Sequence, residues 1–143
     1  MFMGSYENSI DAKSRMIVPS KFREELGLEC VVTRGFDTCL DIYPMSAWKQ
    51  FEEKLSALPM SNQNARNFAR KFRANAVKCE IDKQGRLTLP QSLKDFAKLN
   101  KELTTIGNGE KIEVWGRDIW ESDEGSGMLD DIDIAEGMEQ YGI

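Results

Sequence analysis

Apolar residues recur along this chain at two spacings, and the places where the spacing changes mark the expected elements. Alternation from Tyr6 to Ile10 and from Met16 to Val18 predicts a pair of short strands around a turn, with Met16 and Val18 on one face. Pro19 then ends the strand and opens a helix, with Ser20 placed as N-cap, Phe22 and Leu26 as its apolar stripe and Gly27 as its stop. Two more strands are expected from Cys30 to Thr33 and from Leu40 to Tyr43. The order then repeats: strands from Val77 to Ile81 and Leu87 to Leu89, a helix from Gln91 to about Leu99, and strands from Leu103 to Ile106 and Ile112 to Trp115. Between the repeats, two helical patterns flank Pro59. The first aligns Trp48, Phe51, Leu55 and Leu58; the second, from Asn62 to Ala76, sets Phe68 and Phe72 apart from Arg66, Arg70 and Arg73. That basic face reads first as solvated stems covering apolar area and second as a phosphate-contacting surface.

The repetition is a tandem duplication. Residues Ile10 to Pro19, I-D-A-K-S-R-M-I-V-P, match Ile81 to Pro90, I-D-K-Q-G-R-L-T-L-P, without a gap at an offset of 71. The register continues through Phe22/Leu93 and Arg23/Lys94, slips near Gly27, and resumes at an offset of 72 with Val31/Leu103, Gly35/Gly107, Leu40/Ile112, Ile42/Val114 and Trp48/Trp120. Units of about forty residues are too small to bury a core alone, so the copies are expected to close on each other.

The polar positions shared by both copies are Asp11/Arg15 and Asp82/Arg86, four residues apart between strand-like runs. Gln84-Gly85 supplies turn chemistry in the second copy, and Lys13-Ser14 holds the same place in the first. An Asp at such a tip accepts the N–H groups of its own turn and holds the nearby Arg, leaving guanidinium donors for an anion. Read locally, each pair is more often a surface ion pair of little energy and no function than a binding group; its presence in both copies reverses that balance.

The D-x-x-x-R turn followed by an apolar-x-apolar-Pro step, present twice, together with T-R-G-F-D-T-C-L-D-I-Y-P-M-S-A-W in the first half, resembles the MraZ family. The resemblance covers about residues 1 to 120, with Ser14 standing where the family's first hairpin usually carries Gly. It implies an α+β protein: a pseudo-symmetric barrel of two swapped-hairpin, SpoVT/AbrB-like units with short helices. The units would be residues 5–47 and 76–119, joined by connecting helices at 48–75 and followed by an acidic, mobile tail at 120–143. In such a barrel the paired tips meet, so Lys13, Arg15, Lys83 and Arg86 would form one basic DNA-binding surface supported by Asp11 and Asp82. The implied function is that of a sequence-specific transcriptional regulator, repressing its own operon in the division and cell-wall gene cluster. Its partners would be double-stranded DNA at promoter repeats and further copies of itself in a ring-like homo-oligomer, in the cytoplasm and on the nucleoid. The alternative is an antitoxin-like interaction module of the same hairpin fold, whose tail would use Met128, Leu129, Ile132, Ile134, Met138 and Tyr141 as anchors.

Charge fits this picture once it is divided along the chain. The net charge of −5 conceals a tail, Glu121 to Ile143, with eight acidic residues and no Lys or Arg; residues 1–120 therefore set 19 basic against 16 acidic residues. Residues 60–120 alone hold twelve basic and seven acidic residues, and a local basic surface is what nucleic acid requires. Enzyme chemistry finds little footing. There is no His, each candidate Asp has its own Arg, and Gly107-Asn108-Gly109 reads as a turn between strands without the helix and Lys-Ser/Thr of a phosphate loop. Asp130, Asp131 and Asp133 lack calcium-loop spacing, so no metal and no cofactor is expected. Cys30, Cys39 and Cys79, without C-x-x-C spacing, are expected to be reduced and buried. No run approaches a membrane span, and Met1-Phe2-Met3 lacks a basic leader region, so a soluble cytoplasmic protein is expected.

Overall fold

The computed structural model describes residues 1–122 and 131–143. In chain order the elements are β1 (Phe2–Ser9), β2 (Arg15–Ile17), α1 (Ser20–Leu26), β3 (Glu29–Arg34), β4 (Leu40–Pro44), α2 (Met45–Ser56) and α3 (Gln63–Ala74). There follow β5 (Val77–Glu80), β6 (Arg86–Thr88), α4 (Gln91–Phe96), β7 (Glu102–Gly109), β8 (Lys111–Gly116), α5 (Arg117–Trp120) and α6 (Asp131–Tyr141). The fold is mixed α and β. Six strands form an antiparallel sheet in the order β1-β7-β8-β4-β3-β5, and β2 and β6 form a separate pair. The expected barrel is not found: among the described residues the six-stranded sheet stays open, with β1 and β5 at its edges.

The pairing also corrects the expected strand pair around each tip. Beyond the tip, β1 and β2 share only the bridge Ile10 to Met16, and β5 and β6 share only Ile81 to Leu87. Instead the copies exchange strands. β1 pairs with β7 of the second copy, β5 pairs with β3 of the first, and β2 and β6 pair with each other. A hairpin built on three-residue strands is too short to hold by itself, whereas exchange gives each short strand a partner with an apolar face to match. The registers are reciprocal: Met16 faces its own equivalent Leu87, and Asp41 faces its equivalent Glu113.

The core follows the same equivalences. Met16, Val18, Phe22 and Leu26 from the first copy and Leu87, Leu89, Leu93 and Ala97 from the second are all buried in one cluster, joined by Leu40, Ile42, Ile112 and Val114. Phe22 is met edge-on by Phe2 and Tyr6 at ring centroid distances of 5.6 and 5.1 Å, which fixes α1 under β1. Asn8 joins the layers, donating to the Ile17 carbonyl at 3.1 Å and accepting from Thr105 Oγ1 at 2.9 Å.

Several local boundaries differ from the sequence reading. α1 begins at Ser20 itself, with Pro19 as N-cap and no side-chain cap, because Pro presets the entry dihedral. α4 stops at Phe96, and Lys98 takes a positive φ of 53° soon after. Gly107 and Asn108 lie within β7, paired to Gly4 and Met3, and a Cβ on Gly107 would sit 2.3 Å from the Met3 nitrogen. Strand contact, not turn formation, accounts for that glycine. Cys30 and Cys39 are buried free thiols, while Cys79 is half-buried opposite Cys30. The described end of the tail is helical in α6; residues Asp123 to Asp130 of the expected tail lie outside the described residues. No helix among the described residues is long and apolar enough to cross a membrane.

Met16 and Leu87 are each fully buried where the two copies meet. Truncating either to Ala should cost about 2–5 kcal/mol of unfolding free energy, read from urea denaturation. The double variant should lose less than the sum, because the two side chains share one cavity.

Candidate nucleic-acid interface

Each tip is built by one carboxylate. Asp11 Oδ1 accepts the backbone N–H of Lys13 at 2.9 Å and of Arg15 at 3.0 Å, and Oδ2 accepts Arg15 Nε at 2.8 Å. Asp82 repeats this with the N–H of Gln84 at 2.9 Å, the N–H of Arg86 at 2.8 Å and Arg86 Nε at 2.7 Å. The backbone closes the turn, Asp11 N–H to the Arg15 carbonyl at 2.9 Å and Asp82 N–H to the Arg86 carbonyl at 3.0 Å. Both carboxyls are held below the usual carboxylate range, first by the backbone N–H of the arginine and then by its side chain. The tips therefore stay intact at neutral pH, and each arginine is fixed through Nε with its terminal nitrogens left over.

The two arginines lie together. Arg15 pairs with Thr88 and Arg86 with Ile17, so all four project from one face of the β2-β6 pair while Met16 and Leu87 fill the other. As diagonal neighbours, Arg15 and Arg86 stand about 7–8 Å apart at the backbone. Lys13 and Lys83 are exposed at the tips beside them. The lysines are not equivalent, since Gln84 stands opposite Lys13 in the repeat and Ala12 opposite Lys83.

Two features of the tips escaped the sequence reading. Ser14 and Gly85, at equivalent positions, both take positive φ, 62° and 76°. For a serine this left-handed conformation costs about 1–2 kcal/mol. The tips are also tied across the copies: Val18 N–H donates to the Gly85 carbonyl at 2.9 Å, and Leu89 N–H to the Ser14 carbonyl at 2.8 Å. Arg23 and Lys94 lie on these crossings. Their equivalence at offset 71 was the available signal, but nothing local says that each reaches the other copy's tip.

The family model described as "MraZ protein, putative antitoxin-like" matches residues 1–71 and again 72–125, so each match contains one tip. The chain belongs to the MraZ family. A relative from Caldanaerobacter subterraneus subsp. tengcongensis, named Transcriptional regulator MraZ, is 45% identical over 143 residues, covering 100% of both chains. Its namesake from Clostridium tetani is 47% identical over 143 residues, again covering 100% of both. Among solved structures, the solution structure of PHS018 from Pyrococcus horikoshii aligns with a TM-score of 0.32 at 14% identity, over 80% of this chain and 88% of that one. So loose a likeness does not bear on the fold.

Within this MraZ chain the basic helix α3 is engaged elsewhere. Arg66 Nη1 donates to the Met60 carbonyl at 3.0 Å, Arg70 Nη1 to Asn67 Oδ1 at 3.3 Å, and Arg73 ties α3 to α2 through Glu52 and Ser56. Of the three, only Arg73 reaches α2; Arg66 bonds the segment before α3 and Arg70 bonds its own helix. Cys39 Sγ, Asp41 and Glu113 oxygens lie within 4.8 Å of one another and form the only such ligand cluster among the described residues. Lys111 Nζ already stands in it, 2.9 Å from Asp41 Oδ2 and 3.6 Å from Glu113 Oε2, and burial holds the Cys39 thiol protonated. The donor set suits an ammonium rather than a metal ion.

That cluster sets a pH dependence. Burial pushes the Asp41 carboxyl up to about 6 from 3.8, with Lys111 only partly offsetting it. Between those values the folded chain binds a proton that the unfolded chain releases, so this group's contribution to stability falls as pH rises. Asp11 and Asp82, whose folded values are depressed, act in the opposite direction and lose their contribution as the solution is acidified. Comparing thermal unfolding of wild type and Asp41→Asn isolates the first term: wild type should lose stability relative to the variant from pH 3.8 to about 6 and run parallel above it.

Proposed function

We propose that this chain is a sequence-specific, double-stranded-DNA-binding transcriptional regulator whose contact surface is the paired tips. The observation that carries this is the placement of Arg15 and Arg86, each held by its own aspartate, side by side on the exposed face of β2-β6. A guanidinium anchored through Nε keeps a fork for a phosphate or a guanine edge, and Lys13 and Lys83 add point charges suited to phosphate. Ile17, 54% exposed between the arginines, offers the apolar contact that a thymine methyl takes. The relatives' name, Transcriptional regulator MraZ, supports the same role, and no enzymatic activity belongs to it. In this reading the copies at residues 5–47 and 76–119 are SpoVT/AbrB-like swapped-hairpin units, a reading supported by the exchange of strands between the copies. The regulator represses its own operon in the division and cell-wall gene cluster, on the nucleoid, by binding promoter repeats. Arg15→Ala should leave folding intact and weaken binding to the DNA upstream of its own gene by about 1–3 kcal/mol per base-reading contact, measured by fluorescence anisotropy. A folded Arg15→Ala, Arg86→Ala double variant with unchanged affinity and salt dependence would place the DNA surface elsewhere.

The same reading includes a ring-like homo-oligomer. A continuous run of ring contacts leads from Tyr43 through Trp48, Phe51 and Phe72 to Phe68 and Phe36, and ends in a groove of about 300 Å³ where Phe36 is 75% and Phe68 45% exposed. That much exposed aromatic surface fits contact with further copies. Light scattering should report a particle larger than a dimer at micromolar concentration, and Phe36→Asp should dissociate it; a monomer in wild type would exclude the ring. The antitoxin-like alternative has its own support in α6, where Ile134, Met138 and Tyr141 are exposed at helical spacing. Pull-downs with full-length and tail-deleted protein separate the two.

A further inference from the structure

Arg23 and Lys94 belong to the two helices that follow the tips, yet each reaches across to the opposite copy. The Arg23 guanidinium lies flat against Gly85: a Cβ there would meet Arg23 Cζ at 2.3 Å, Nε at 2.5 Å and Nη2 at 2.7 Å. Arg23 Nε donates to the Val18 carbonyl at 2.9 Å, and Val18 N–H donates to the Gly85 carbonyl, so the arginine closes a small ring of contacts onto the second tip. In the first tip the arrangement is changed in chemistry but not in place. Lys94 Nζ donates to Ser14 Oγ at 2.7 Å, and Leu89 N–H donates to the Ser14 carbonyl. Gly with Arg and Ser with Lys are thus two solutions to one position. A flat guanidinium covers a glycine with no room for a Cβ, whereas a slender ammonium leaves room for a hydroxyl and uses it.

Both cations are half-buried along their stems, and neither has a carboxylate partner among the described residues. Arg23 uses only Nε, so its two terminal nitrogens remain donors against Gly85, the residue before Arg86; Lys94 uses one of its three N–H bonds, on Ser14, the residue before Arg15. The two tips and the helices that reach them thus carry six cations, Lys13, Arg15, Arg23, Lys83, Arg86 and Lys94; Asp11 and Asp82 are each engaged by their own turn, and Glu29 and Glu80 lie beside Asp82 and Lys83. Arg23 and Lys94, which have no carboxylate of their own among the described residues, are cations of this group with donors available for an anion.

We propose that Arg23 and Lys94 are further DNA-contacting residues, each clamping the other copy's tip and taking a backbone phosphate beside the tip arginine. This rests on the tips being the DNA surface. Phosphate contacts fix the register of a protein on the duplex without reading sequence, so these residues would set how Arg15 and Arg86 approach the bases.

The experiment measures binding to a duplex from upstream of the chain's own gene and to a random-sequence duplex, by fluorescence anisotropy over a series of salt concentrations. Arg23→Gln and Lys94→Gln should each weaken both duplexes alike and make the salt slope shallower by about one, while Arg23→Lys keeps the slope. Gly85→Ser alone should lose affinity through collision with Arg23, and Arg23→Lys with Gly85→Ser should recover it by reproducing the Ser14 and Lys94 arrangement. Thermal unfolding is recorded for every variant, and if Arg23→Gln does not fold, Lys94→Gln and the paired exchange decide. If Arg86→Gln weakens binding while folded Arg23→Gln and Lys94→Gln keep wild-type affinity and slope, the crossing cations are packing elements and the inference fails with the tip surface standing. If Arg86→Gln also changes nothing, the tip surface falls and this inference with it.

Discussion

Everything in this molecule depends on backbone pairing between the two copies of one short unit. Neither copy has enough apolar residues to make a core. Met16 opposite Leu87 joins them at a point where both side chains are fully buried, and the exchanged edge strands β1 and β5 fasten each copy onto the other. The consequence for the site is direct. Because side chains alternate along a strand, burying Met16 and Leu87 forces Arg15, Ile17, Arg86 and Thr88 onto the opposite, exposed face. The pair that makes the core also assembles the arginines.

Rigidity at the tips comes from a second use of local hydrogen bonding. An Asp that accepts two backbone N–H groups and a guanidinium Nε leaves its turn few alternatives, and it does so twice in almost the same geometry. Fixing an arginine before binding lowers the entropy lost when it meets an anion, so under the proposed function the aspartates would act on affinity without touching the ligand. The strained Ser14 is consistent with this division of labour, since its left-handed backbone is stabilised by a carbonyl bond to Leu89 and by Lys94 rather than by the turn alone.

The sequence was legible wherever information is local or repeated. The duplication, the alternation at Met16 and Val18, and the i, i+4 stripe of Phe22 and Leu26 gave the elements and most of the core. Turn chemistry gave the Asp and Arg geometry in both tips. What it did not give is pairing partners. A three-residue strand such as Arg15–Ile17 carries no mark of whether it folds back on β1 or crosses to β6, because that choice rests on long-range registry. Arg23 and Lys94 were hidden for the same reason: aligned as equivalent cations, they show their reach only once each is seen against the other copy's tip. The three arginines of α3 show the converse, a basic stripe whose charges serve the helix and its neighbour.

Under the proposed function, the paired tips are where this MraZ chain meets DNA. Hydrogen exchange followed by mass spectrometry, with and without a duplex from upstream of its own gene, tests it without altering a residue. Slowed exchange is expected in the peptides spanning residues 11–18 and 82–89 when the duplex is present, with α3 unchanged. Protection confined to α3, with both tips exchanging as fast as in the free protein, would contradict it.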